Sequence, residues 1–115
     1  MHHLIRPTLY HAYQAVQAVN PREGEPIVAD LVGPICESGD YLAKDRALPP
    51  VQQGDLLVMM SAGAYGYSMA SFYNSYARPA EVLVQGDQYA LIRERDTYEE
   101  IVRGEHLPEF ESIDS

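Results

Sequence analysis

PIVADLVGPICESGD, residues 26–40, is the stretch on which the reading of this chain turns. Its first eight residues are apolar and β-branched and are bounded by Pro26 and Gly33, the pattern of a strand. Residues 34–40 then read as a loop with Gly39 near its end. On that loop a thiol and a carboxylate, Cys36 and Glu37, stand side by side directly after the strand. Loops fixed by a rigid sheet commonly carry function. Here the carboxylate can receive an ammonium and the thiol can donate a proton. Taken alone, the fragment favours a plainer account, a small buried cysteine beside a solvated acid, because free cysteine usually behaves as a buried hydrophobe.

Toward the C-terminus, residues 47–54 (ALPPVQQG) form a turn region, where Pro49-Pro50 excludes a helix. Residues 55–61 (DLLVMMS) are a buried-strand candidate, and the methionines read as core filler. Residues 79–86 and 88–94 predict two strands around Gly86-Asp87, a hairpin signal. Residues 96–103 (DTYEEIVR) predict a helix, with Asp96 as N-cap, Glu99 completing a capping box and Gly104 as the stop. Toward the N-terminus, Pro7 suits a first helical position. Leu9, Ala12, Tyr13 and Val16 recur at helical spacing, so a short helix is expected to pass into a strand near Gln14. Residues 20–25 make a polar turn. Five or six strands with little helix predict a mostly-β sandwich or barrel-like fold with short helices. At 115 residues there is room for one small domain.

Eight basic against seventeen acidic residues give a net charge of −9. Such a field repels phosphate backbones and anionic lipid, so neither nucleic acid nor membrane is an expected partner. The acidity thickens over residues 105–115, read as a flexible, solvated tail beyond a domain of residues 1–104. One cysteine permits no intrachain disulfide. MHHLIRPTLY lacks the apolar core of a secretory signal, and a cytoplasmic location is expected. His2-His3 reads equally as native or as a cloning remnant.

Two further groups could carry chemistry. Arg6 and Tyr10 are four residues apart and share a face if Pro7 begins a helix, so a guanidinium and a phenol can converge on one carboxylate. Spacing alone favours a surface arginine beside a packed tyrosine. In residues 63–68 (GAYGYS), glycines flank Tyr65, whose hydroxyl could bind phosphate; a glycine-relaxed turn around a core tyrosine is an equal alternative. Lys44, the one lysine, lies in a charged setting unsuited to a Schiff base. The four histidines show no metal-ligand spacing with Cys36.

In order, LIRPTLY, GPICESGDYLAKDRALP, GDLL with SAGAYGYSMAS, YNSYARPAEVLV and LIRERDTYEEI cover about residues 4–102. Together they resemble the C-terminal domain of diaminopimelate decarboxylases, members of the alanine-racemase-like class of pyridoxal-phosphate enzymes. Phe72 and Tyr76-Ala77 depart from that pattern. The resemblance implies a β-domain partnered by a cofactor-holding β/α barrel with the Schiff-base lysine, and active sites shared across a head-to-tail homodimer. It implies that Arg6 and Tyr10 bind the distal carboxylate of meso-diaminopimelate. Tyr65 would contact substrate and cofactor phosphate. Glu37 would recognise the distal ammonium in the partner's site, with Cys36 as the acid that returns a proton. The expected activity is decarboxylation to L-lysine and CO₂, which this chain alone would not perform. In this class a strand from the N-terminal part also completes the β-domain, so an uncovered edge or core face is expected. A decarboxylase of the carboxynorspermidine or ornithine type, and a non-catalytic binding or dimerisation module, are the competing readings.

Overall fold

A computed structural model describes residues 1–114. It is mostly β, in three antiparallel two-stranded ladders with short helices. In chain order these are α1 (Arg6–Tyr10), β1 (Val16–Ala18), β2 (Ile27–Val32), β3 (Tyr41–Leu48), β4 (Leu57–Met59), α2 (Gly63–Met69), a 3-10 turn at Tyr73–Ser75, β5 (Glu81–Gln85), β6 (Gln88–Arg93) and α3 (Tyr98–Val102). β1 pairs with β4, β2 with β3 and β5 with β6.

β2 forms where the β-branched run predicts it. Its partner β3, YLAKDRAL, was not expected as a strand, and it extends through Ala47 and Leu48 into the segment read as a turn. The ladder is irregular around Asp30, whose carboxylate accepts a hydrogen bond from the Asp45 amide at 2.8 Å. Asp45 itself adopts a left-handed φ of 51°. α1 begins at Arg6, one residue before the predicted proline, and stops at Tyr10, because His11 turns left-handed (φ 54°) and closes the helix onto the Arg6 carbonyl. The strand that follows starts at Val16, two residues later than predicted.

The C-terminal helix carries a capping box one residue beyond the predicted one. Thr97 is the N-cap and Glu100 its reciprocal partner. Asp96 is engaged elsewhere: its carboxylate accepts a hydrogen bond from Arg78 Nε at 2.6 Å.

The core is small. Leu4, Ile35, Ala43 and Leu48 are buried, as is Pro7 of α1. The segment expected as a buried strand is not: Leu57, Val58 and Met60 are exposed, and no methionine is buried among the described residues. On the β5–β6 hairpin Val82, Leu83, Val84, Leu91 and Ile92 all face open space. The molecule measures 73 × 36 × 26 Å, with a radius of gyration of 18.8 Å. A compact chain of this length would have about 13 Å. The apolar faces of these ladders are thus without cover in this chain, in keeping with the expected uncovered face. Among the described residues no helix is long and apolar enough to cross a membrane.

One exposed ion pair ties the turn after β1 to the approach of β4. Arg22 donates from Nε and the terminal guanidinium nitrogen to both Asp55 oxygens, at 2.8 and 2.9 Å. The Asp55 carboxylate also accepts from the Gln52 amide at 2.8 Å. The Arg22 hydrogen bond, then the backbone one, lowers the Asp55 pKa to about 2. A depressed carboxylate stabilises the fold above its unfolded value, and the contribution is lost as pH falls through the folded value. Acid titration of the intact protein should therefore show a loss of stability between about pH 4 and pH 2 that Asp55→Asn removes, as read by circular dichroism; an unchanged acid limb would contradict the linkage.

Candidate functional site

The loop at residues 33–40 is built around Asp40. Its carboxylate is fully buried and accepts a hydrogen bond from the Ile35 amide at 2.8 Å. The Gly33 amide donates to the Asp40 carbonyl at 2.8 Å, and the Asp40 amide to the Glu37 carbonyl at 3.0 Å. Burial acts to raise the Asp40 pKa, and the hydrogen bond from the Ile35 amide acts to lower it. Gly33 is required by this packing: a methyl group built on its Cα would overlap the Asp40 carboxylate. From α1, the Thr8 hydroxyl donates to the Gly39 carbonyl at 2.6 Å and fixes the far side of the loop.

With its base held this way, the loop directs Cys36 and Glu37 outward. Both are exposed, which removes the account of Cys36 as a buried hydrophobe. Glu37 accepts a hydrogen bond on Oε2 from the Tyr73 hydroxyl at 2.6 Å. That bond, reinforced by the charge of Glu37, raises the Tyr73 pKa.

A second group of residues lies at the N-terminal end of α1. The Arg6 guanidinium stands 5.3 Å from the centroid of the Tyr65 ring. Tyr65 is 62% exposed and sits on a left-handed backbone (φ 64°) within α2. Around the flanking Gly63 and Gly66 nothing approaches within 4 Å of where a side chain would start. A phenol presented on an open, glycine-flanked kink fits one edge of a phosphate-bearing cofactor. Tyr10 is 60% exposed on the last turn of α1 and is not in contact with Tyr65 or Glu37 through any hydrogen bond among the described residues. Arg22, Arg78 and Arg93 are each engaged by a carboxylate. Arg6 makes no ion pair among the described residues.

The kink holding Tyr65 is braced two residues on. Arg78 and Arg93 lie 4.8 and 4.0 Å from the centroid of Tyr67, and each is oriented by its own acid, Asp96 and Glu81. Lys44 belongs to neither group. Its ammonium lies 4.4 Å over the Tyr41 ring, on the wall of an open groove of about 670 Å³ that none of Arg6, Tyr10, Tyr65, Cys36 or Glu37 lines. Lys44 thus lies apart from both Arg6 with Tyr65 and Cys36 with Glu37.

Sequence reasoning missed four contributors: Asp40, Gly33, Thr8 and Tyr73. Gly33 and Asp40 could have been suspected from the G-x₆-D spacing around CE; nothing local links Tyr73 to Glu37 across 36 positions. His2 and His3, left open as native or added, are packed into the fold. His2 is buried and stacks on Tyr76 at 4.3 Å, and His3 Nε2 lies 2.8 Å from the Ala77 carbonyl. Burial, then the positive charge of His3, lowers the His2 pKa.

The family model for the C-terminal sheet domain of pyridoxal-dependent decarboxylases matches residues 1–63. The diaminopimelate decarboxylase of Pseudomonas aeruginosa is 56% identical over 107 residues, covering 93% of this chain and 26% of that protein. That of Neisseria meningitidis serogroup A is 53% identical over 105 residues, 91% of this chain and 26% of the relative. Among solved structures, diaminopimelate decarboxylase from M. jannaschii in complex with L-lysine superposes with a TM-score of 0.87 at 38% identity, over 94% of this chain and 25% of that one. The chain spans about a quarter of the length of the curated relatives it matches.

Proposed function

Since this chain belongs to the pyridoxal-dependent decarboxylase family, as its C-terminal sheet domain, we propose that it serves a diaminopimelate decarboxylase converting meso-diaminopimelate to L-lysine and CO₂. The observation that carries this reading is a pair of opposite charges, the half-buried Arg6 over Tyr65 and the exposed Glu37 on its braced loop. Diaminopimelate has an amino-acid group at each end, and one end must be held while the other reacts. An arginine for the far carboxylate and a glutamate for the far ammonium meet that need. An ornithine-type substrate has no far carboxylate for Arg6. The relative crystallised with L-lysine is consistent with this choice, since lysine retains the amino-acid group that is held.

In this mechanism Arg6 grips the distal carboxylate by two parallel hydrogen bonds, and the Tyr10 hydroxyl adds a third. Tyr65 binds substrate and the cofactor phosphate from the glycine-flanked kink. Cys36 and Glu37 act in the site of a second copy, making a homodimer the working unit. Pyridoxal phosphate, held through a lysine that this chain does not supply, provides the electron sink for the bond that breaks when CO₂ leaves. The Cys36 thiol holds the proton that returns to that carbon. The domain comprises residues 1–104 and a solvated tail residues 105–115, of which Ser115 lies outside the described residues. The location is cytoplasmic, with neither nucleic acid nor membrane as a partner.

The test is the full-length gene product with pyridoxal phosphate. CO₂ and L-lysine should form in equal amounts from meso-diaminopimelate, and Cys36→Ala should lower kcat by about 10²–10⁴-fold, the range for a positioned proton donor. Absence of lysine formation overturns the reading.

A further inference from the structure

We propose that Tyr73 is a positioning residue for substrate selection, holding the Glu37 carboxylate in the orientation that receives the distal ammonium. The inference rests on the assignment of Glu37 above. Three observations carry it. The phenol donates to Glu37 Oε2 at 2.6 Å, a short charge-assisted bond. The described residues place no donor on Oε1, so one oxygen is anchored and the other is open to a ligand. The turn that delivers the phenol is itself fixed in an unusual shape.

That shape is held from several sides. Asn74 and Ser75 both adopt left-handed φ, 54° and 60°. Non-glycine residues persist there only when their surroundings impose it, and such positions cluster where a side chain must be aimed. The Ser75 amide donates to the Phe72 carbonyl at 2.7 Å, and the Ser71 amide to the His2 carbonyl at 2.9 Å. The Tyr73 amide donates to Ser71 Oγ at 3.3 Å. The donor of the hydrogen bond is thus anchored to the N-terminal segment, and its acceptor is anchored by Asp40 and Thr8.

An unrestrained glutamate on an exposed loop samples several rotamers, and binding an ammonium would have to freeze them. A tyrosine already on one carboxylate oxygen removes that cost. The restraint acts on the ammonium end alone, which separates it from a general effect on folding.

The experiment compares two substrates in the full-length enzyme. L-Lysine keeps the L centre of meso-diaminopimelate, so the reacting end is the D centre. D-2-Aminopimelate therefore offers the same reacting end and distal carboxylate without the distal ammonium. Tyr73→Phe should raise KM for meso-diaminopimelate about tenfold, the order for one hydrogen bond to a charged group, and change kcat by less than about twofold. It should leave kcat/KM for D-2-aminopimelate unaltered. Glu37→Gln should abolish the preference between the two substrates.

If Glu37→Gln abolishes the preference and Tyr73→Phe keeps it, the positioning role alone is overturned. If Glu37→Gln keeps it, the assignment of Glu37 fails and takes the positioning role with it. Equal losses on both substrates in Tyr73→Phe mean a structural residue and also overturn the proposal. A second readout needs no turnover. The ¹³Cζ shift of Tyr73, followed with pH in labelled protein, should show a phenol ionising above the ordinary tyrosine value and returning toward it in Glu37→Gln. Identical titrations in the two proteins contradict the hydrogen bond.

Discussion

Arg6→Ala in the full-length enzyme is expected to lower kcat/KM for meso-diaminopimelate by two to three orders of magnitude. Two charge-assisted hydrogen bonds to one carboxylate contribute roughly 3–4 kcal/mol together, and each factor of ten corresponds to about 1.4 kcal/mol. The stacking of Arg6 on Tyr65 is a smaller matter, about 0.5–1 kcal/mol for an exposed cation–π contact, so it cannot produce a loss of that size. Arg6→Lys should recover little, because an ammonium restores a point charge and not the planar fork. Steady-state kinetics with both variants check this. Near wild-type turnover by Arg6→Ala would show that no distal carboxylate is held there and would favour a substrate of the carboxynorspermidine or ornithine type.

Gly33→Ala is expected to destabilise the fold by about 2–6 kcal/mol although it lies outside the substrate contacts. The added methyl occupies the space of the Asp40 carboxylate. Asp is too short for its carboxylate to swing away while keeping the Ile35 amide paired. Overpacking costs about 1–3 kcal/mol, and an unpaired buried amide about 1–3 more. Since the same carboxylate shapes the loop bearing Cys36 and Glu37, surviving folded protein should also lose activity. Urea melts of the full-length protein give the stability change directly. A midpoint within experimental error of wild type would mean that the loop accommodates the methyl and that Asp40 is not the fixed centre of it.

Legibility in the sequence followed how local each cause was. The hairpin at Gly86-Asp87, the proline start of α1 and the strand of PIVADLV depend on residues within a few positions, and all three form where predicted, α1 starting one residue before its proline. The helix cap was half legible. DTYEE holds two overlapping boxes, Asp96 with Glu99 and Thr97 with Glu100, and only the distant Arg78 decides between them by engaging Asp96. β3 was illegible, because YLAKDRAL gains its strand conformation by pairing with β2 and carries a left-handed aspartate within it. Apolar content likewise identified 55–61 as a segment that needs cover without showing that this chain leaves it exposed.

By itself, the order of residues determined the mostly-β class, the loop bearing a carboxylate and a thiol after the second strand, and the family whose motifs the chain carries. Those properties are encoded in short runs, where hydrophobic pattern and turn chemistry act over a few residues. Tertiary structure alone decided that Asp40 is the buried centre of the Cys36–Glu37 loop, that Arg6 stands over Tyr65, and that Tyr73 grips Glu37. Each of those contacts joins residues whose approach depends on packing, so its free energy exists only once the chain has closed the distance between them.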